Sequence, residues 1–184
     1  MLDITSVTLS ADGKSATVGY TYTLSDNVLT PPAATDHFDD IGNFITVTGV
    51  SGVTSSAADL QIRIVDDTPL ANNDTGGTVT EDGAGSLNGN VLDNDVSGAD
   101  TPAVFVGWSA TGHDNSAAVS ALGTYGTFTQ NPTTGAWSYT LDNSKAATQA
   151  LTAGSNLSYD VWYTMKDADG DESIAKLTIN IKGA

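Results

Sequence analysis

One offset governs this chain. Tyr22-Thr23-Leu24 recurs as Tyr139-Thr140-Leu141, and Leu60, Ile62 and Ile64 recur as Leu177, Ile179 and Ile181, each displaced by 117 positions. The stretch between the two matches is the same in both copies, 36 positions from Leu24 to Leu60 and from Leu141 to Leu177. A chain that repeats its apolar pattern at fixed spacing builds the same supersecondary unit twice. Within each match apolar and polar residues alternate, the period of a strand with one buried face. Upstream of each Tyr-Thr-Leu lies a strand, turn, strand pattern. VTLSADGKSATVGYTYTL (residues 7–24) turns around Asp12-Gly13, and YGTFTQNPTTGAWSYTL (residues 125–141) around Asn131-Pro132 and Gly135.

The copies differ in what precedes this pattern. The second follows a long polar stretch from Ala71 to Ala110, whereas the first opens directly in a strand. We therefore read residues 1–68 as a shortened copy and 69–184 as a full one, joined by the polar VDDTPLANND with its Pro69. Helix signals are nearly absent; Asn143 to Leu151 is the one candidate. Many short strands separated by Gly, Asn, Asp and Thr predict an all-β chain of two antiparallel β-sandwiches in series, each with a marginal core of its own. Leu60, Ile62, Ile64, Leu177, Ile179 and Ile181 are expected to face those cores with Tyr22, Leu24, Tyr139, Leu141, Val161, Tyr163 and Trp137. Alternation then turns Trp162 outward, either to anchor a ligand or to cover the sheet face as a cross-strand partner.

Charge narrows the function. Six basic against 22 acidic residues give a formal charge of −16, which excludes nucleic acid as a partner because phosphates are met by Lys and Arg. So much unneutralised carboxylate opposes compaction unless cations relieve it. With no Cys and two His, thiolate chemistry and histidine-rich metal sites are excluded. Neither a signal peptide nor a run of about 18 apolar residues is visible in the chain.

The acids are clustered. DADGDE (residues 167–172) places Asp167, Asp169 and Asp171 at alternate positions around Gly170, a spacing that can aim several oxygens at one hard cation such as Ca2+. It is not an EF-hand loop, since Glu172 and Thr178 stand where that loop needs glycine and glutamate. Further oxygens must come from elsewhere, and a solvated turn would carry the same residues. In an immunoglobulin-like sandwich this loop joins the last two strands, at the end where the chain arrives. Asp66, Asp67, Asn72, Asn73 and Asp74 are expected there, with Glu81 a weaker candidate. In the first copy DHFDD, with Asp36, Asp39 and Asp40, is expected as a loop at the end where the chain leaves. Asp93, Asp95 and Asp100 form a second candidate group, or else cap turns.

Catalysis finds no support. Glycosidic hydrolysis needs two carboxyls facing across a cleft, and these acids lie in strand-end loops. His113 has Asp114 and Ser116 nearby, but adjacency in sequence is not a triad; a surface-loop histidine is the simpler reading. His37 reads as a turn residue or a neighbour of a metal ligand. There is no phosphate-cradling or dinucleotide glycine motif. We expect no enzyme.

From Ala71 to Gly183 the ordered motifs ANND, GNVLDNDVSGAD, YGTF, GAWSYTLDNSKAATQAL, DADGD and LTINIKG resemble the VCBS-type, cadherin-like repeats of giant bacterial RTX adhesins. DLQIRIVDDTPLA, closing the first copy, is similar to the domain-ending segment of the same adhesins. The resemblance implies two tandem immunoglobulin-like, cadherin-like sandwiches, several Ca2+ ions, secretion without a cleaved signal, and a monomeric segment at the cell surface among neighbouring domains of one adhesin. Its role would be adhesion and biofilm formation. It also implies metal ligation by Asp66, Asp67, Asp167 and Asp169, and more weakly by Asp171 and Asp74. The first copy departs from the pattern, with GVSGVTSS in place of KDADGDES and DHFDD in place of AGSNL. Two unlike modules raise an alternative: a calcium-dependent receptor for a peptide or glycan on a target cell.

Overall fold

A computed structural model describes residues 1–24, 36–46, 48, 52–55, 58–83 and 85–184. Eleven strands and two short helices are formed among them. In chain order they are β1 (Leu2–Leu9), β2 (Ala16–Tyr22), β3 (Asp36–Ile45), β4 (Ala58–Val65), β5 (Asp74–Thr80), β6 (Ser86–Asn90), β7 (Val104–Gly107), α1 (Ser116–Tyr125), β8 (Gly126–Gln130), β9 (Ala136–Leu141), α2 (Ala146–Gln149), β10 (Asn156–Lys166) and β11 (Glu172–Lys182). No helix among the described residues is long and apolar enough to cross a membrane.

The second half is a two-sheet sandwich. One sheet has the order β5-β11-β10-β7, the other β6-β9-β8. Alternation along β11 sends Ala175, Leu177, Ile179 and Ile181 inward, and along β9 it sends Trp137, Tyr139 and Leu141 to meet them. Val79, Val91, Val161 and Tyr163 complete the interior, and Leu122 closes it from α1, whose carbonyl accepts the Tyr139 hydroxyl at 3.3 Å. Burying an apolar side chain of this size contributes about 1.5–3 kcal/mol.

Three pairings set which loops share an end. β10 and β11 form an antiparallel hairpin from Asn156↔Lys182 to Lys166↔Glu172. β5 runs parallel to β11, Leu177 beside Asp74, a departure from the expected all-antiparallel sheets. β7 lies antiparallel to β10 with Val104 beside Lys166. The β10–β11 turn, the start of β5 and the segment leading into β7 are therefore neighbours.

The offset of 117 carries β2 onto β9 and the β3–β4 hairpin onto β10–β11, whereas β1, which would fall on α1, corresponds to β8 only as the first strand of its hairpin. Gly13 and Gly135, with φ of +66° and +74°, sit in the turns of the β1–β2 and β8–β9 hairpins, where the left-handed backbone favours glycine. Among the described residues β1–β2 and β3–β4 form separate two-stranded sheets.

Four expectations are corrected. DHFDD is not a loop but opens β3, where Asp36 pairs with Val65; the second-copy counterpart was a poor guide because β3 starts earlier than β10 under the offset. Leu24 is 46% exposed rather than buried. The helical candidate shrinks to α2. The longer helix, α1, was missed because Val119, Ser120, Gly123 and Thr124 interrupt the helix-favouring Ala117, Ala118, Ala121 and Leu122, and packing of Leu122, Ala118, Val119 and Tyr125 supplies what the interrupted run does not. The GVSGVTSS segment falls largely outside the described residues.

Candidate metal centre

The linker is stitched onto the second sandwich before β5 begins. Leu70 and Val96 exchange two backbone hydrogen bonds, at 2.8 and 3.0 Å. Ala71 N–H donates to Ser173 Oγ at 3.0 Å, and Lys176 N–H to Asn73 Oδ1 at 3.2 Å. One step earlier, Asp67 Oδ2 accepts the N–H of Ala99 at 2.7 Å. Gly98, with φ of +75°, makes room for that carboxylate: a Cβ there would collide with Asp67 Oδ2. Asp66 is thereby carried to the foot of the β10–β11 turn.

The turn is organised by its own acids. Asp167 Oδ1 accepts the N–H groups of Gly170 and Asp171 at 3.0 and 2.9 Å. Ala168 N–H donates to the Asp100 carbonyl at 3.0 Å, tying the turn to the segment before β7. Two carboxylate groups result. Asp66, Asp100 and Asp169 each place an oxygen within 4.8 Å of the others, and so do Asp167, Asp169 and Asp171. Asp169 belongs to both.

These residues fit a hard cation. The limit of 4.8 Å is about twice a Ca–O bond of 2.3–2.6 Å, the widest separation two ligands of one ion can have. The donors are all oxygen, the set preferred by Ca2+ and Mg2+ over softer metals. Asp167 Oδ2 and Asp169 Oδ2 are buried with no hydrogen-bond partner, and buried polar atoms in folded proteins are normally satisfied. Carboxylate charges within 4.8 Å of one another repel by on the order of 3 kcal/mol or more at an effective dielectric of about 20. The strain registers in the acids themselves: burial first, then Asp169 beside it, pushes the Asp167 carboxyl up to about 6. Asp171 is raised by burial and then by the charges of Asp169, Asp66 and Asp100.

Other candidate residues lie elsewhere. Asp74 and Asp95 share a second polar pocket around the Tyr163 hydroxyl. That hydroxyl lies 3.0 Å from both Asp95 oxygens and 3.1 Å from the Asn72 and Val91 carbonyls, yet has one proton to donate. Asp95 Oδ1 also accepts Asn72 N–H at 2.7 Å. Asp74 Oδ2 is buried without a partner, and burial followed by the Asp95 charge pushes Asp74 up to about 7. Asp93 is exposed and in neither carboxylate group. Glu81 follows β5, at the opposite end, where its N–H bonds the Lys182 carbonyl at 2.9 Å. The ligand role expected of Asp36, Asp39 and Asp40 rests on side chains outside the described part of the structure, as does the reading of His37. The structure thus spreads Asp93, Asp95 and Asp100 over different surroundings: Asp100 lies with the linker, Asp95 at Tyr163, and Asp93 is exposed, its charge reaching Asp74. Asp100 could have been found by following the chain into the strand beside β10, had the position of β7 been legible.

The aromatic residues resolve as well. Trp162 does point outward on β10, with the His113 ring stacked on it at 3.6 Å and Lys176 Nζ 5.9 Å from its centre. Asp114 orders the start of α1 by accepting the Ser116 N–H and hydroxyl at 2.8 and 2.9 Å, so His113, Asp114 and Ser116 form no triad. Trp108 packs edge-on against Phe105 at 5.4 Å and donates its indole N–H to the Asn131 carbonyl at 2.9 Å.

The profile of the bacterial cadherin-like domain family matches residues 66–183. No curated protein matches the chain. Among solved structures, protocadherin gamma B2 extracellular cadherin domains 1–5 is similar at 16% identity with a TM-score of 0.31. That likeness covers 98% of this chain and 30% of the other, so the chain spans less than a third of that structure's length. The profile match begins at Asp66, takes in both carboxylate groups and runs to the end of the second sandwich; the chain belongs to the bacterial cadherin-like domain family.

Proposed function

We propose that the chain is a calcium-rigidified, non-enzymatic segment of a large secreted bacterial adhesin, working at the cell surface in adhesion and biofilm formation. In this reading 1–68 and 69–184 are consecutive modules, and the partners are neighbouring domains of the same protein. Cadherin-like domains are typically calcium-binding, adhesion-related modules without enzymatic activity. The observation that carries the proposal is the meeting of Asp66, from the linker, with Asp100 and Asp169, from two loops of the second sandwich.

Asp66, Asp100, Asp167, Asp169 and Asp171 would hold the ions, with Asp67 fixing the linker through Ala99. A bound cation supplies positive charge that offsets carboxylate repulsion. The chain's part is to present oxygens from three segments, so that occupancy ties the linker to the turn. Extracellular calcium modules work at dissociation constants of roughly 10−4 to 10−3 M, which suits a segment rigid outside the cell. A receptor role would need an aromatic surface open to ligand. Trp162 is instead covered by His113 and Lys176, which favours the spacer reading.

Calorimetric titration with CaCl2, paired with melts in EDTA, tests the proposal. Saturable binding and a higher melting temperature with calcium are expected; no binding heat together with identical melts overturns it.

A further inference from the structure

The chain crosses the second sandwich from one end to the other. It enters β5 at Asp74, at the end that holds both carboxylate groups, and leaves β11 at Lys182, at the opposite end. β5 and β11 are parallel and paired at six positions, from Asp74↔Leu177 to Thr80↔Lys182. The Glu81 N–H extends this ladder to the Lys182 carbonyl at 2.9 Å. Bonds in a parallel ladder are evenly spaced. A pull on the two ends of the sandwich therefore drags β5 and β11 past each other and loads every rung at once, whereas a sideways pull loads only the outermost rung.

Three features oppose sliding. β11 is held on its other side by eleven paired positions with β10, so β5 is the strand that must move. Val79, Leu177, Ile179 and Ile181 are all fully buried and close the inner face of the ladder to water. The register also shifts between Thr178 and Ile179, where Gly76 is the extra residue of a bulge. A Cβ at Gly76 would meet Leu177 Cδ1 at 2.9 Å and the Trp137 ring at 3.0 Å, and one at Gly77, where φ is +109°, would meet Leu87 Cδ2 at 3.0 Å. Sliding β5 toward the linker by one position brings Thr78 into the place of Gly77, where a close-packed core leaves no room for its side chain. The glycine pair is a key that fixes β5 at one position.

We propose that β5–β11 is a force-bearing joint, a ladder loaded in shear and keyed by Gly76 and Gly77, and that carrying tension along the chain is a function of this module. The direction of load rests on the proposed place of the chain among neighbouring domains of one protein; the joint itself is read from the strand pairing. Neither carboxylate group lies in the ladder, so its resistance requires no cation. Forced unfolding is governed by the barrier to leaving the native state rather than by equilibrium stability, so the readout is a force and not a melting temperature.

Single-molecule pulling on the whole chain in EDTA tests the joint. The chain has no Cys, so pairs of introduced cysteines set the direction of load. Thr75→Cys with Ala184→Cys pulls along the ladder; Thr80→Cys with Asn156→Cys pulls across it, because Thr80, Lys182 and Asn156 lie in one row. All four positions are exposed, and an unchanged melting temperature shows that each pair leaves the fold intact. The rupture force along the ladder is expected to be severalfold that across it, with one release on the order of 350 Å for residues 75–184. Adding Thr78→Gly, which lets β5 slip by one position, is expected to lower the force along the ladder and not across it. Equal forces in the two directions overturn the proposal, as does a small low-force release of β5 ahead of a higher peak; an unchanged force in the Thr78→Gly chain overturns the key. With calcium absent throughout, failure here leaves the calcium reading standing, and a failed calcium titration leaves the joint standing.

Discussion

Asp66 and Asp169 lie 103 positions apart in the chain, yet their carboxylate oxygens fall within 4.8 Å of each other. The approach is fixed by backbone. The parallel β5–β11 pairing brings the linker beside the β10–β11 turn, and the Asp67–Ala99 hydrogen bond holds it there. A cation at this point would join segments that no single loop could bring together.

Asp169 is common to both carboxylate groups, so its loss is expected to be felt at both. At a calcium concentration 100 times the dissociation constant, binding to the folded state alone stabilises by about 2.7 kcal/mol, roughly 10 °C for a domain of this size. Asp169→Asn is expected to lose most of this increment and Asp93→Asn to keep it. Differential scanning calorimetry with and without EDTA is the check; an undiminished calcium shift in Asp169→Asn contradicts the assignment.

Gly98 tests the linker's attachment. Gly98→Ala puts a Cβ against the Asp67 carboxylate and holds a non-glycine residue at φ of +75°. A cost of about 1–3 kcal/mol is expected, with calcium affinity falling because Asp66 moves with Asp67. Wild-type affinity in this variant would show that Asp67 does not position the site.

Acidity should act in opposite directions on the metal-free and calcium-loaded forms. Asp74 is raised from 3.8 to about 7 in the folded protein, mainly by burial, so the folded state binds a proton that the unfolded chain releases. The associated stability is full below 3.8 and is lost as pH rises through about 7. In EDTA, stability is expected to rise from pH 8 to pH 5, and Asp74→Asn to flatten that slope. With calcium, protons compete for the carboxylates and stability is expected to fall over the same range. Urea titrations at each pH measure both.

Tyr163→Phe separates the second pocket from the first. It removes the hydroxyl shared among Asp95 and the Asn72 and Val91 carbonyls, at an expected cost of about 1–3 kcal/mol for a buried acceptor left without a donor. The calcium-induced rise in melting temperature should be unchanged, because Tyr163 and Asp95 belong to neither carboxylate group. Loss of that rise would mean that the two pockets are one.

What the residues determined alone was local and periodic. Alternation every second position identified the inward faces of β9, β10 and β11, and left Trp162 facing outward. Asp12-Gly13 and Gly135 marked turns, and the 117-residue offset matched β2 with β9 and the β3–β4 hairpin with β10–β11. Tertiary structure decided which acids meet. Asp74 and Asp100 are equally acidic on paper, but the start of β5 delivers Asp74 to Tyr163, while the approach to β7 delivers Asp100 to Asp66. It also made α1 a helix and left Leu24 uncovered. The physical reason is that alternation depends on neighbours in the chain, whereas the convergence of carboxylates depends on which strand edges pair, and that is settled only when the two sheets close over one core.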